Sequence, residues 1–167
     1  MSRSSKGLYI FLSLILVLSL VLTGCEAAAA KKTVKIAFIG PFTGGNAAMG
    51  LGGRNSFKLA IDELNAVTTN KYNYEVVYID DECKPDVGVQ AALKAGSDPA
   101  VIAAASHYCS MVAVSTADTF HQQGLPSMVW GAVLPSITYG NNYVEITRVN
   151  GTQIQQNQVN AQLIWDL

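Results

Sequence analysis

The sequence predicts an α/β domain, a parallel sheet flanked by helices. Three observations carry that reading. Short runs of nearly continuous apolar residues recur between residues 33 and 149. Most are followed by a stretch in which apolar residues return every three or four positions. Proline and glycine punctuate those stretches at their starts and ends. Strands buried on both faces lose the apolar/polar alternation of a one-sided sheet, and parallel neighbours need a helical crossover.

Taken in order, 34-VKIAFIG-40 is the first strand. A glycine-rich segment, 40-GPFTGGNAAMGLGG-53, follows and reads as a loop of about ten residues at the carboxyl edge of the sheet, where ligands bind in such folds. In 54-RNSFKLAIDELNA-66, Phe57, Ile61 and Leu64 fall on one helical face. The second strand is 74-YEVVYID-80, and 86-DVGVQAALKAG-96 is a helix entered after Pro85 and stopped at Gly96. The run 100-AVIAAAS-106 is the third strand, 110-SMVAVSTADTFHQQ-123 the third helix, and Gly124 its stop. Further strands fall at 127-SMVW-130 and 144-VEITRV-149, and 152-TQIQQNQVNAQLIWDL-167 is helical without a C-cap glycine. The chain reads as a fragment cut inside that last helix.

The N-terminus carries a different message. Arg3 and Lys6 precede the fifteen-residue apolar stretch Leu8 to Leu22, which runs into 22-LTGC-25. A bilayer-spanning helix needs about 20 residues, so this length fits the core of a secretory signal. The small residues before Cys25 have the form of a bacterial lipobox, at which the signal is removed and the cysteine thiol lipidated. Residues 1–24 are then the lipoprotein signal peptide, 25–32 a lipidated tether, and 33–167 the folded domain. Removing Arg3 and Lys6 leaves nine basic and twelve acidic side chains, a formal charge of −3. Neither that charge nor any basic run interleaved with aromatics favours nucleic acid.

Outside the cytoplasm disulfides persist, and with Cys25 lipidated an even pair remains, Cys83 and Cys109. No C-x-x-C occurs, and His107 and His121 lack the spacing of a closed zinc site, so no metal is expected. The segment 107-HYCSMV-112 poses the alternative of a Cys109 nucleophile with His107 as its base. Two residues apart across a strand-to-helix bend, those side chains need not meet, and Cys83 is available as a partner. A Cys83–Cys109 bridge closes 27 residues, worth roughly 3.5 kcal/mol in the chain-entropy model.

Other candidates are weaker. Gly50-x-Gly52 has Asn55 where a dinucleotide fingerprint needs a third glycine, and no lysine follows Gly44-Gly45 as a phosphate loop requires. No cofactor is expected. The acidic run 80-DDE-82 reads as a solvated strand end rather than an acid–base pair. Ser110 opens the third helix at the end of a strand. Its hydroxyl and the free N–H groups of that turn suit an anion, and an ordinary N-cap serine reads equally well.

Together, 35-KIAFIGPFTG-44, 80-DDECKPD-86, 107-HYCS-110 and 124-GLPSMVWGAVLP-135, with the lipobox, resemble the extracytoplasmic solute-binding lipoproteins of branched-chain amino-acid type ABC transporters. The resemblance spans most of residues 33–149. It implies a type I periplasmic-binding, or Venus-flytrap, fold that closes on its ligand, with residues 33–167 as an incomplete N-terminal lobe. It also implies a disulfide between Cys83 and Cys109, a ligand carboxylate on Ser110, and a ligand ammonium on the Gly131 carbonyl. Val133 stands where amino-acid binders carry a threonine, and Met49 where they place an aromatic ring. The amino end of the ligand is therefore in question, leaving an amino acid, amide or other carboxylate. The implied partners are that small solute, the permease subunits of an ABC importer, and a bacterial membrane through lipid on Cys25. The competing functions are a Cys109/His107 enzyme and the ligand-sensing module of a receptor.

Overall fold

In the computed structural model the described residues are 7, 9, 11, 13 and 31–167. They belong to two compact units, Met1–Ala30 and Lys31–Leu167. In the first unit Gly7, Tyr9, Phe11 and Ser13 are helical. The expectations for the signal cleavage site, for lipidation at Cys25 and for most of the tether fall outside the described residues.

The second unit is a five-stranded, all-parallel sheet. Its strands are β1 (Lys32–Gly40), β2 (Tyr72–Asp80), β3 (Val101–Ala105), β4 (Ser127–Val129) and β5 (Ile146–Arg148), in the order β2-β1-β3-β4-β5. The helices are α1 (Ala47–Ala66), α2 (Pro85–Ser97), α3 (Ser110–Gln123) and α4 (Gln153–Asp166), with a short 3₁₀ turn at Pro135–Ile137. Successive side chains of a strand point to opposite faces. Ala37 and Ile39 of β1 accordingly join the core with Ala91, Ala92 and Ala95 of α2 and Ala113 and Phe120 of α3. Phe38 points the other way and meets Phe57 of α1, ring centroids 5.0 Å apart. Small alanines on β3 and α2 let these layers sit close together, and helices cover both faces as the near-continuous apolar strands require.

The main departure from the sequence reading is α1, which begins at Ala47, not at residue 54. Gly50, Gly52 and Gly53, which read as loop, are helical here. At Gly50 a side chain would collide with the Pro41 carbonyl. The loop after β1 shrinks to residues 41–46, and the helical Gly50 and Gly53 serve close approaches to Pro41 and to the Phe38 and Trp130 rings. At the other end of the unit, α4 starts with a full capping box between Thr152 and Gln155 but buries no side chain of its own.

Candidate functional site

Strand order reverses at β1. The α1 crossover places β2 on one side of it, and the α2 crossover places β3 on the other. The carboxyl ends of the strands at such a reversal are the usual ligand position in open α/β sheets, in the crevice where the loops leaving the two strands part.

The floor of that edge is a set of committed acids. Asp80, the last residue of β2, accepts the Phe42 and Glu82 N–H groups at 2.8 and 2.9 Å and the Thr43 hydroxyl at 2.6 Å. Burial pushes its pKa up, but the hydrogen bonds from Thr43, Glu82 and Phe42 together outweigh that, so Asp80 titrates below the ordinary carboxylate value. Asp81 is wholly buried, so the reading of this run as a solvated strand end is corrected. Its carboxylate meets His107 Nδ1 at 2.7 Å and accepts the Cys83 N–H at 2.9 Å. An acid this deep is retained only with partners, and one of them lies 26 positions away in the chain. Glu82 faces out and pairs with Lys84.

Above this floor Cys83 and Cys109 are joined in a disulfide with Cα atoms 5.5 Å apart, an ordinary span for such a bridge. His107 is a buried anchor beside it. Its ring holds the loop after β2, while its backbone carbonyl accepts the Gly131 and Ala132 N–H groups at 3.3 and 3.2 Å. One residue therefore ties three loops together. Gly131 is needed for that contact, because a Cβ there would stand 2.7 Å from the Tyr108 ring.

Ser110 is the first residue of α3 and does not cap its own helix, whose N-terminus carries no side-chain cap. Its Oγ instead accepts two N–H groups from the loop after β4, Val133 at 3.0 Å and Leu134 at 3.3 Å. A serine hydroxyl has two acceptor lone pairs and one proton. With both lone pairs occupied, Ser110 offers only its proton. The Val133 N–H is spent on Ser110.

The carbonyls of the same loop are also engaged. Arg148, at the end of β5, donates to the Ala132 and Leu134 carbonyls at 3.3 and 2.9 Å and to the Thr138 hydroxyl at 3.1 Å. Asn150 Nδ2 lies 2.9 Å from the Ala132 carbonyl and 3.4 Å from that of Gly131. The Val133 carbonyl accepts the Gln153 N–H at 2.8 Å. Burial lowers the Arg148 pKa from its ordinary value, and no carboxylate pairs with it among the described residues. Sequence reading missed Asp81, Arg148 and Asn150. One signal was available: Arg148 is the sole Lys or Arg after Lys94.

Met49 sits in the first turn of α1 and is 52% exposed. Trp130 spans the switch point. Its indole N–H donates to the Ile39 carbonyl at 3.1 Å, and its ring lies 5.4 Å from Phe38 and 5.6 Å from Tyr108. An apolar groove of about 520 Å³ lies elsewhere, on the α1 face of the sheet over Ile36, Ala103 and Met128, and contains none of the predicted site residues.

Residues 33–160 match the family described as periplasmic binding protein. The chain belongs to that family. Among its relatives is the leucine-, isoleucine-, valine-, threonine- and alanine-binding protein of Pseudomonas aeruginosa, 32% identical over 136 residues. That match covers 81% of this chain and 36% of the relative. A solute-binding protein of an ABC transporter from Rhodopseudomonas palustris, solved with 3,4-dihydroxybenzoic acid, superposes with a TM-score of 0.64 at 29% identity. It covers 72% of this chain and 32% of its own. A leucine-binding protein from Thermotoga maritima gives 0.68 at 25% identity, covering 77% and 35%. The family member thus spans about a third of the length of these relatives.

Proposed function

We propose that this chain supplies ligand-binding loops of an extracytoplasmic solute receptor that delivers a small amino acid, amide or other carboxylate to the permease subunits of an ABC importer. The observation that carries the reading is Ser110, whose hydroxyl has both lone pairs filled and its proton left to donate at the mouth of the switch-point crevice. A carboxylate oxygen is the matching acceptor, and the uncapped first turn of α3 adds N–H donors and a favourable dipole. The named ligands of the relatives, leucine, isoleucine, valine, threonine, alanine and 3,4-dihydroxybenzoic acid, all carry a carboxylate. Receptor action fits these loops, cross-linked by the disulfide and the Asp81–His107 contact, better than catalysis does. A Cys109 nucleophile needs a free thiol, and Cys109 is bonded to Cys83. Lipid on Cys25 would hold the receptor at the membrane, where the permease is.

Isothermal titration of the intact gene product against amino acids, amides and small carboxylates tests the proposal. Ser110→Ala is expected to weaken the best ligand by about 1.5–3 kcal/mol, the range for a hydrogen bond to a charged partner. Ser110→Thr, which keeps a hydroxyl, recovers part of that loss. Unchanged affinity in Ser110→Ala would remove Ser110 from the site. A free thiol at Cys109 in the unreduced protein would reopen the enzyme reading.

A further inference from the structure

Resting on the receptor reading above, we infer that His107 is a positioning residue for ligand binding, setting the direction in which Ser110 offers its proton. Four successive N–H groups of the loop after β4 all donate to the 107–110 turn. Gly131 and Ala132 reach the His107 carbonyl at 3.3 and 3.2 Å, and Val133 and Leu134 reach Ser110 Oγ at 3.0 and 3.3 Å. By taking the first two, the His107 carbonyl fixes the register in which the next two meet the serine.

That register decides where the proton points. A hydroxyl oxygen has four roughly tetrahedral directions. At Ser110 one is the bond to Cβ, and the Val133 and Leu134 N–H groups occupy two more. The proton takes the fourth, away from the loop. A shift of the loop that loses either N–H frees its direction, and the proton then rotates between two positions instead of holding one.

The His107 carbonyl is held in turn by the ring of the same residue. His107 Nδ1 meets Asp81 Oδ2 at 2.7 Å, with both side chains out of water. Asp81 is pinned three more times. Its N–H donates to the Gly40 carbonyl at 3.1 Å, its Oδ1 accepts the Cys83 N–H at 2.9 Å, and its carbonyl accepts the Lys84 N–H at 2.8 Å. The ends of β1 and β2 thus reach Ser110 through His107. The other restraints act elsewhere. The disulfide holds Cys109, while Arg148, Asn150 and the Gln153 N–H hold the loop by its carbonyls and bond none of the four N–H groups.

A purely structural histidine lowers stability and leaves the affinity of the folded protein alone. A positioning one lowers affinity only while Ser110 has a hydroxyl to aim. Isothermal titration of the intact, oxidised gene product with leucine and with benzoate compares the native protein, His107→Leu, Ser110→Ala and the double variant. His107→Leu is expected to weaken binding about tenfold, and to add nothing once Ser110 is alanine. His107→Asn, which keeps a donor where Nδ1 stands, recovers most of the affinity. Melting temperatures check folding, and if His107→Leu does not fold, Asp81→Ala takes its place, leaving the ring without its anchor. Hydrogen exchange reads the same positioning without ligand. The Val133 and Leu134 amides are expected to speed up in His107→Leu by more than those of Ala104 and Ser127, which bond within the sheet region. Unchanged affinity in a folded His107→Leu, or equal losses with and without the Ser110 hydroxyl, would overturn the inference and leave the receptor reading standing. If neither probe binds the native protein, the exchange rates decide alone, and Val133 and Leu134 rates that follow the sheet overturn it.

Discussion

Two histidines of this protein each meet a carboxylate, and the two pairs have little else in common. His107 and Asp81 are enclosed, with side chains 1% and 0% exposed and Nδ1 to Oδ2 2.7 Å apart. His121 and Glu145 are 46% and 22% exposed and 3.1 Å apart. Both histidines follow or end regular elements, and neither has its acid nearby in sequence. The first pair joins the loops after β2 and β3 beneath the disulfide, and through the His107 carbonyl it holds the loop after β4. The second lies on the surface, with the His121 ring stacked on Tyr143 at 4.1 Å. Water can replace one member of the surface pair and cannot reach the buried one. The same contact is therefore structural in one place and close to neutral in the other.

Breaking the buried pair is the strongest test of that contrast. Asp81→Ala is expected to cost about 3–5 kcal/mol, because it leaves His107 Nδ1 enclosed without a partner. Urea unfolding of Asp81→Ala, His107→Ala and the double variant measures it, and the double variant is expected to lose less than the two single losses added together. Strict additivity would show that the contact carries no energy of its own.

Asp80 is the intermediate case, half-buried and bonded to Phe42, Thr43 and Glu82. Its depressed pKa in the folded protein means its contribution is present above the unfolded carboxylate value and is lost as pH falls through the folded one. Asp80→Asn is expected to be less stable than the native protein at neutral pH by about 1 kcal/mol. The gap should close as the pH drops below about 4, the ordinary carboxylate range. A gap that stays constant down to acid would mean that the hydrogen bonds to Phe42 and Thr43 owe nothing to the charge.

The smallest effect is expected at the surface. Glu145→Gln should leave the urea midpoint unchanged at neutral pH and moderate salt, although backbone hydrogen bonding and His121 lower the Glu145 pKa. The direction of any residual effect is fixed: stability supplied by a lowered carboxylate pKa disappears on acidification. A loss in Glu145→Gln as large as that in Asp81→Ala would erase the distinction between the two pairs.

Much of the fold was legible in advance. The near-continuous apolar runs at 34–40, 74–80 and 100–106 announced strands of a parallel sheet, and all five strands lie close to their expected positions. Proline at the first position of α2 and glycine after α3 marked helix ends, because those residues act through local backbone geometry that the chain carries with it. The glycine-rich segment misled for the same reason. Gly50 is chosen for contact with Pro41, which local propensity does not encode. Ser110 was singled out by its place at a strand-to-helix bend, and which groups its hydroxyl bonds, Val133 and Leu134, required the loop after β4 to fold back over it.

By itself, then, the sequence determined the layer architecture, the order of strands and helices along the chain, the two cysteines available to each other, and the serine at the edge of the sheet. These follow from hydrophobic period, chain punctuation and residue count, which are properties of neighbours in sequence. The tertiary structure alone decided that Asp81 is buried and Glu82 is not, that His107 is an anchor, and that Arg148 and Asn150 donate to carbonyls of the loop beside Ser110. Those outcomes depend on partners 26, 16 and 18 positions away, whose separation from water is set only when the loops of different strands meet.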